Sequence, residues 1–252
     1  MTAALPVVFL HAFPLSARMW QAEVAALERD RPALAPNFPG FGGRRVAEPD
    51  LGGFAEAVLG DLDAAGIQRA VFVGLSMGGY VAFRLFERAP SRFAGLVLAD
   101  TRAGADCPEA KARRTEQAAR VRREGVGWLA DSLLPLLVGE TTRRERPEVV
   151  ASIRALIADC DPEGVARALL AMRDRPDSTA LLGRVRVPAL VLVGSEDTLT
   201  PPEEARELAG ALGSARLEVI PAAGHLSNLE NPEAFDAALI RFLAGLSGSG
   251  GP

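Results

Sequence analysis

The sequence predicts an α/β fold in which a mostly parallel β-sheet is covered by helices on both faces and carries a helical cap insertion. Three observations lead to this prediction. Short apolar runs recur along the 252 residues with helical segments between them, and these runs are unbroken rather than alternating. One long stretch after the fourth run has no strand pattern. Unbroken apolar runs are typical of strands that are buried on both faces, as in parallel sheets.

The apolar runs and the periodicity between them predict the individual elements. Strands are expected at 7–10, 33–35, 70–73, 96–99, 189–193 and 217–220. Apolar residues at helical spacing predict helices at 109–123, 127–137, 147–158 and 162–172.

The division of the chain follows from these elements. The helical stretch 101–183 is too long for a loop, so we interpret it as a helical cap over the carboxyl edge of the sheet. The core is then formed by 1–100 and 184–246. The Gly- and Ser-rich end, 247–252, is predicted to be a flexible tail.

The composition excludes several classes of protein. Hydrophobic residues make up 48% and charged residues 24% of the chain, as in ordinary globular proteins. The formal net charge of −4 provides no basic field for a phosphate backbone, so no nucleic-acid partner is expected. The apolar start lacks a basic region and a cleavage site, and the apolar stretch 126–138 is too short to span a bilayer. We therefore expect a cytoplasmic protein without a membrane partner.

Ser76 lies in the pentapeptide Gly-Leu-Ser-Met-Gly, where the third predicted strand turns into a helix. A serine on such a turn adopts a strained backbone conformation that points its hydroxyl outward. A glycine-rich turn that merely contains a serine explains the short pattern equally well. The choice depends on the rest of the chain, because a serine hydroxyl needs a base, and the base needs an acid, before it is a good nucleophile.

The two histidines of the chain are the candidate bases. His11 follows the first predicted strand and His225 follows the last. A structural role explains either histidine equally well when it is considered alone. Ligands in open α/β sheets bind at the carboxyl ends of the strands, however, so two histidines in such loops favour a functional site.

Asp197 follows the fifth predicted strand and is the favoured acid. The ordinary use of an aspartate there is an Asx turn or a helix entry, and Asp100, at the end of the fourth strand, competes for the role. The chain order Ser76, Asp197, His225 is the one described for one particular fold of serine hydrolase. We therefore favour Asp197.

Together these motifs resemble the α/β-hydrolase superfamily over nearly the whole chain. The resemblance implies the α/β-hydrolase fold, with Ser76 as nucleophile, Asp197 as acid and His225 as base. The two backbone N–H donors of the family's oxyanion hole match Phe13 and Met77. No cofactor and no metal are implied.

The segment PAAGHLSNLENPEAF, residues 221–235, is similar to the branch with 3-oxoadipate enol-lactonases and small carboxylesterases. We predict a serine esterase that cleaves small-molecule esters of short to medium acyl chains through an acyl-enzyme. An enol-lactonase and a cofactor-free perhydrolase or acyltransferase are alternatives that would use the same residues. A non-catalytic ligand-binding protein of this fold is less favoured, because all three positions of the triad are filled. The sequence carries no signal for an oligomeric state.

The substrate pocket is predicted to be apolar, because ligand sites are mostly hydrophobic with few polar groups. The side chains expected to line it are those of His11, Trp128, Leu129, Leu133 and Leu226. The arginines of the helix 109–123 are predicted to face solvent. Each CH₂ buried in such a pocket contributes roughly 0.8 kcal/mol, so neutral esters are expected to be better substrates than an anionic enol-lactone.

Overall fold

The computed structural model of the protein describes residues 4–46, 50–213 and 215–247. In these residues six strands form one sheet in the order β2-β1-β3-β4-β5-β6, and every neighbouring pair is parallel. The strands are β1 (Val7–Leu10), β2 (Ala33–Leu34), β3 (Ala70–Leu75), β4 (Phe93–Ala99), β5 (Ala189–Gly194) and β6 (Arg216–Ile220). Each predicted strand overlaps one of these, and the α/β prediction is confirmed.

The central strands β1, β3, β4 and β5 are buried at every residue, so both faces of the sheet are covered. The first three helices in chain order are α1 (Gln21–Leu27), α2 (Leu51–Ala64) and α3 (Met77–Arg88). Those between β4 and β5 are α4 (Pro108–Glu124), α5 (Leu129–Leu137), α6 (Glu140–Glu145), α7 (Pro147–Ala158), α8 (Pro162–Arg173) and α9 (Thr179–Leu182). The last three are α10 (Pro202–Ala211), α11 (Ser227–Glu230) and α12 (Pro232–Ser247).

The helices start where the local sequence favours it. Proline is the first residue of α4, α7, α8 and α10, where its missing N–H costs nothing. The carboxylate of Asp161 accepts the N–H of Gly164 (2.8 Å) and caps α8. Two short helices, α6 and α9, were not predicted, because α6 is polar throughout and α9 has only four residues.

Residues 101–183 are described without a gap and form helices but no strand. Helix α4 packs chiefly along α8, and α7 packs against both α5 and α6. At the other end of the chain, α12 runs to Ser247, the first residue of the predicted tail. The rest of that tail, 248–252, lies outside the described residues.

A cluster of three aromatic side chains packs α12 against the sheet. The rings of Phe9 and Trp20 are 5.0 Å apart, and those of Trp20 and Phe235 are 5.9 Å apart. All three side chains are fully buried, and the burial of each phenylalanine contributes about 1.5–3 kcal/mol to stability. This cluster joins β1 to α12.

Of the helices within the described ranges, none is both long and apolar enough to cross a membrane.

Candidate active site

Ser76 lies between β3 and α3 with φ 53° and ψ −113°. Residues other than glycine seldom adopt this backbone conformation. The glycines around it allow close packing. A Cβ on Gly74 would lie 2.5 Å from the carbonyl oxygen of Gly78, and a Cβ on Gly78 would collide with the carbonyl of Leu10. The pentapeptide therefore brings β3, α3 and β1 together at a turn that exposes the serine hydroxyl.

Ser76, His225 and Asp197 form a continuous chain of hydrogen bonds. The Oγ of Ser76 is 2.8 Å from Nε2 of His225, and Nδ1 of His225 is 2.8 Å from Oδ2 of Asp197. A carboxylate can only accept, so Nδ1 carries the hydrogen and Nε2 is free to accept the serine proton. The structure thus brings together the three residues that the sequence predicted as a triad.

The carboxylate of Asp197 is held in a fixed position. Its Oδ1 accepts the N–H groups of Leu199 (2.8 Å) and Thr200 (3.0 Å), and its Oδ2 accepts the hydroxyl of Thr200 (2.6 Å) as well as His225. These bonds orient Oδ2 toward the imidazole. The Asx turn that was the alternative explanation for Asp197 is therefore present, and it holds the carboxylate beside the imidazole.

The protonation of the pair follows from burial and charge. Burial alone would raise the pKa of Asp197, but the charge and hydrogen bond of His225 lower it below its ordinary value. Burial alone would lower the pKa of His225, but the Asp197 carboxylate outweighs this effect and raises it above the ordinary value of 6.5. Each partner therefore favours the charged form of the other.

Asp100, the competing acid, does not contact His225 by hydrogen bond in the described structure. Its carboxyl accepts the N–H of Gly194 (2.8 Å) and the hydroxyl of Ser227 (2.5 Å). Burial, together with the charge of Asp197, raises the pKa of Asp100 to about 8. The geometry thus favours Asp197 as the partner of the imidazole.

The two residues predicted to supply the oxyanion donors, Phe13 and Met77, lie near Ser76. Met77 is the first residue of α3, so its N–H has no acceptor within the helix and points from the positive end of the helix dipole. Phe13 lines the same cavity as Ser76. These positions agree with the predicted role of the two N–H groups, which stays a prediction.

A cavity of about 210 Å³ opens on Ser76 and His225. The apolar side chains in its wall are Phe13, Ala110, Leu133, Leu136, Leu137, Leu169, Met172 and Leu199. The polar and charged ones are Tyr80, Arg102, Asp106, Arg113, Arg114, Gln117 and Thr200. The wall is therefore mixed, whereas the sequence predicted an apolar pocket.

Of the five residues that the sequence predicted to line the pocket, only Leu133 is part of the cavity wall. The other four lie elsewhere. Leu129 and Leu226 are fully buried in the core. The half-buried ring of Trp128 packs under the guanidinium of Arg120, 3.9 Å away. The remaining one is His11.

His11 is fully buried next to the site and has a structural contact on each ring nitrogen. Its Nε2 accepts the N–H of Phe38 (3.1 Å), and its Nδ1 donates to the carbonyl of Ala12 (3.0 Å). Burial lowers the pKa of His11 to about 4, so the ring is neutral. These contacts support the structural explanation of His11, which lies outside the cavity wall.

The prediction that the arginines of α4 face solvent is wrong for Arg114, which is half-buried in the cavity wall and paired with Asp106, whereas Arg113 lines the cavity but is exposed. Ala110, Arg113, Arg114 and Gln117 recur at spacings of three and four residues and form the cavity-facing side of α4. This cavity-facing side could not be predicted from the sequence, because α4 is polar around most of its circumference. Only Ala118 and Val121 of α4 are buried, so the apolar pattern does not define its orientation.

The charges in the cavity wall are mostly paired. Asp106 binds Arg114 (2.5 Å) and Arg175 (2.7 Å), which hold the pKa of Asp106 below its ordinary value although burial alone would raise it. Arg102 lies 3.3 Å from Glu204. Arg113 is exposed, and among the described residues it has no carboxylate within ion-pair distance.

The histidine loop is attached to the segment between α5 and α6. The N–H of His225 donates to the carbonyl of Leu137 (3.1 Å), and the buried carboxylate of Glu230 accepts the N–H groups of Gly139 (2.8 Å) and Gly224 (3.0 Å). A Cβ on Gly139 would lie 2.8 Å from the nitrogen of Gly224. The loop with the candidate base and one wall of the cavity therefore share backbone contacts.

The sheet, the serine turn and the match to known proteins define an α/β hydrolase. The model of the alpha/beta hydrolase family matches residues 7–238, and the chain belongs to that family.

Three similar proteins have described activities. A thermophilic esterase from Thermogutta terrifontis, studied with malate bound, is 42% identical with a TM-score of 0.94, over 97% of this chain and 91% of that one. The enol-lactonase from Burkholderia xenovorans LB400 is 32% identical with a TM-score of 0.88, over 96% of this chain and 92% of that one. The 3-oxoadipate enol-lactonase 1 of Acinetobacter baylyi is 30% identical over 91% of this chain and 85% of that protein. These proteins are esterases and lactonases, and the protein described here is a hydrolase.

Proposed function

We propose that the protein is a serine hydrolase that cleaves carboxylic esters of short to medium acyl chains through an acyl-enzyme. One observation carries the proposal: the hydrogen-bonded chain from Ser76 through His225 to Asp197 opens into a cavity. A hydroxyl, a base and an oriented acid are what acyl transfer to serine requires.

Each side chain has a role that follows from its contacts. Nε2 of His225 takes the hydroxyl proton as Ser76 attacks the carbonyl carbon, and Asp197 stabilises the imidazolium that forms. The N–H groups of Phe13 and Met77 stabilise the oxyanion of the tetrahedral intermediate. His225 then donates its proton to the leaving alcohol and later activates the water that hydrolyses the acyl-enzyme.

The cavity supports a small acyl group. Its volume of about 210 Å³ is below the roughly 300–1,000 Å³ of sites for drug-sized ligands. Leu133, Leu137 and Met172 provide apolar contact, and each buried CH₂ contributes roughly 0.8 kcal/mol until the space is filled. Because these three side chains belong to 101–183, we infer that this segment acts as a cap that sets the acyl chain length.

A second candidate function is the hydrolysis of an enol-lactone that bears a carboxylate, and the observation that favours it is Arg113. This cation lies in the cavity wall without an ion-pair partner in the described ranges, and a guanidinium binds carboxylates well. Arg113 is exposed, however, and an exposed ion pair contributes at most about 1 kcal/mol. We therefore place the neutral ester first.

A substrate panel tests both candidates. We expect kcat/KM for p-nitrophenyl esters to rise from acetate to a medium chain length and then to fall, and we expect the best ester to be a better substrate than 3-oxoadipate enol-lactone. A clear preference for the lactone would replace the esterase by the lactonase. Hydrogen peroxide or an alcohol added as acyl acceptor tests the perhydrolase and acyltransferase alternatives in the same assay.

The mechanism is tested separately from the substrate. A fluorophosphonate should label Ser76 in the wild type, as read by peptide mass spectrometry, and should not label the Ser76→Ala variant. Ser152 is an exposed serine in α7, and Ser152→Ala serves as the matched control that should label like the wild type. Labelling at another serine, or none at all, would overturn the serine mechanism.

A further inference from the structure

The end of strand β4 lies between the segments that carry the candidate triad. In the sheet, β4 pairs with β3, which leads to Ser76, and with β5, which leads to Asp197. Two polar residues follow β4 directly, Asp100 and Thr101, and their exposed fractions are 1% and 3%. Neither belongs to the proposed triad.

These two side chains reach all three triad segments. The hydroxyl of Thr101 donates to the carbonyl oxygen of Ser76 (2.8 Å). The carboxyl of Asp100 accepts the N–H of Gly194, at the start of the acid turn (2.8 Å), and the hydroxyl of Ser227, two residues after the histidine (2.5 Å). One dipeptide is therefore hydrogen-bonded to the nucleophile turn, the acid turn and the histidine loop.

This arrangement has a conformational cost. Asp100 has φ 46°, in the left-handed region that is uncommon for residues other than glycine. Burying a polar group also costs free energy unless it is hydrogen-bonded. The contact with Thr101 further explains the third glycine of the serine turn, because a Cβ on Gly79 would lie 2.5 Å from the Thr101 hydroxyl.

We propose that Asp100 and Thr101 are positioning residues that fix the nucleophile, acid and histidine segments relative to one another through their hydrogen bonds. This inference rests on the proposed function.

The protonation state of the Asp100 carboxyl follows from its surroundings. The charged or titratable groups that interact with it or with the adjacent imidazole are Asp197, His225 and Arg102. Burial and the charge of Asp197 keep the Asp100 carboxyl protonated at neutral pH. An asparagine is then the closest uncharged substitute. Its oxygen can accept the Gly194 N–H, and its NH₂ group can donate to the Ser227 hydroxyl oxygen, which reverses the direction of that bond and gives up the acceptor of the Ser227 N–H (3.4 Å).

The first test compares Asp100→Ala with Asp100→Asn on the best p-nitrophenyl ester. We expect Asp100→Ala to lower kcat about 10- to 100-fold with little change in KM, because small displacements of catalytic groups have effects of this size. Asp100→Asn should retain kcat within about threefold, because it keeps the bond from Gly194 and can still bond to the Ser227 hydroxyl in the reverse direction. Equal losses in both variants would show that the charge matters rather than the positioning, and wild-type kcat in Asp100→Ala would overturn the proposal.

A second set of variants tests the positioning role if Asp100→Ala does not fold. Thr101→Val removes the hydroxyl at nearly constant shape, whereas Thr101→Ser keeps it. Ser227→Ala removes the partner of Asp100, and Ser152→Ala, on the surface of α7, is its matched control. We expect Thr101→Val and Ser227→Ala to lower kcat at unchanged KM and to slow fluorophosphonate labelling of Ser76, while Thr101→Ser and Ser152→Ala match the wild type.

Equal kcat and labelling rates in all four of these variants would contradict the positioning role. Failure of the proposed function gives a different result, since the wild type would then show no labelling of Ser76 at all. Circular dichroism and thermal unfolding of each variant identify losses that come from unfolding.

Discussion

Nε2 of His225 lies 2.8 Å from Oγ of Ser76, although 149 positions separate the two residues along the chain. If the two side chains are the nucleophile and the base that we propose, they should act as a unit. We expect Ser76→Ala and His225→Ala each to lower kcat by about 10⁴-fold or more, and the double variant to be scarcely worse than either. Steady-state kinetics on a p-nitrophenyl ester measures this. Losses that add on combination would show that the two residues act independently.

The identity of the acid is tested by two matched substitutions. Asp197→Asn should lower kcat on the order of 10³- to 10⁴-fold, because the amide no longer fixes the histidine tautomer or stabilises its charge. Asp100→Asn should be mild, since Asp100 bonds to Gly194 and Ser227 rather than to the imidazole. The reverse order of effects would move the acid to the end of β4.

The pH dependence follows from the raised pKa of His225. The histidine must be neutral to accept the serine proton, so kcat/KM should increase as the pH rises through its pKa. Burial lowers this pKa and Asp197 raises it more, so the midpoint should lie above the ordinary 6.5. In Asp197→Asn the largest effect that raises this pKa is lost while the burial remains, so the midpoint should move to lower pH than in the wild type. Activity that is independent of pH down to pH 4 would exclude a histidine base.

The charge of Arg113 is expected to affect only anionic substrates. For the mono-p-nitrophenyl ester of glutaric acid, Arg113→Gln should lower kcat/KM roughly fivefold, since an exposed ion pair contributes up to about 1 kcal/mol. For p-nitrophenyl pentanoate, which has the same chain length without the carboxylate, kcat/KM should be unchanged. Arg123, on α4 but outside the cavity wall, provides the control Arg123→Gln. Equal effects on both esters would assign Arg113 to the structure of α4.

The buried His11 predicts a pH dependence of stability. Its pKa is about 4 in the folded protein and 6.5 when unfolded, so the unfolded state binds more protons between these values and stability is lost as the pH falls. The loss is about 3 kcal/mol between pH 7 and pH 4. His11→Asn should abolish this part of the slope in urea unfolding. Glu23 and Asp100, whose pKa values are raised, act in both proteins and cancel in the comparison. Parallel curves would show that His11 is not the titrating group.

The elements that carry the site could be predicted because each has a local signal. The glycines at 74 and 78 follow from the close approach of three backbones, and the order Ser76, Asp197, His225 favoured Asp197 over Asp100 before the geometry did. The neutral, structural state of His11 could not be predicted, because it depends on Phe38, 27 positions away in sequence.

The cavity wall was predicted least well. The direction in which α4 presents Arg113 and Gln117 is set by its packing on α8. A helix with only two buried residues has no apolar stripe from which that direction can be inferred. Leu129 and Leu226 were assigned to the pocket because apolar residues of a lining and of a core look alike in sequence.

The bond from the His225 N–H to the Leu137 carbonyl should limit how the substrate range of this hydrolase can change. Leu137 lies in the cavity wall, so any change that shifts the end of α5 to enlarge the cavity also moves the backbone of the candidate base. The exposed side chain of Arg113 has no such connection. Natural divergence and laboratory engineering should therefore alter specificity through the cavity-facing side of α4, and selected variants should accumulate there while the end of α5 stays nearly constant.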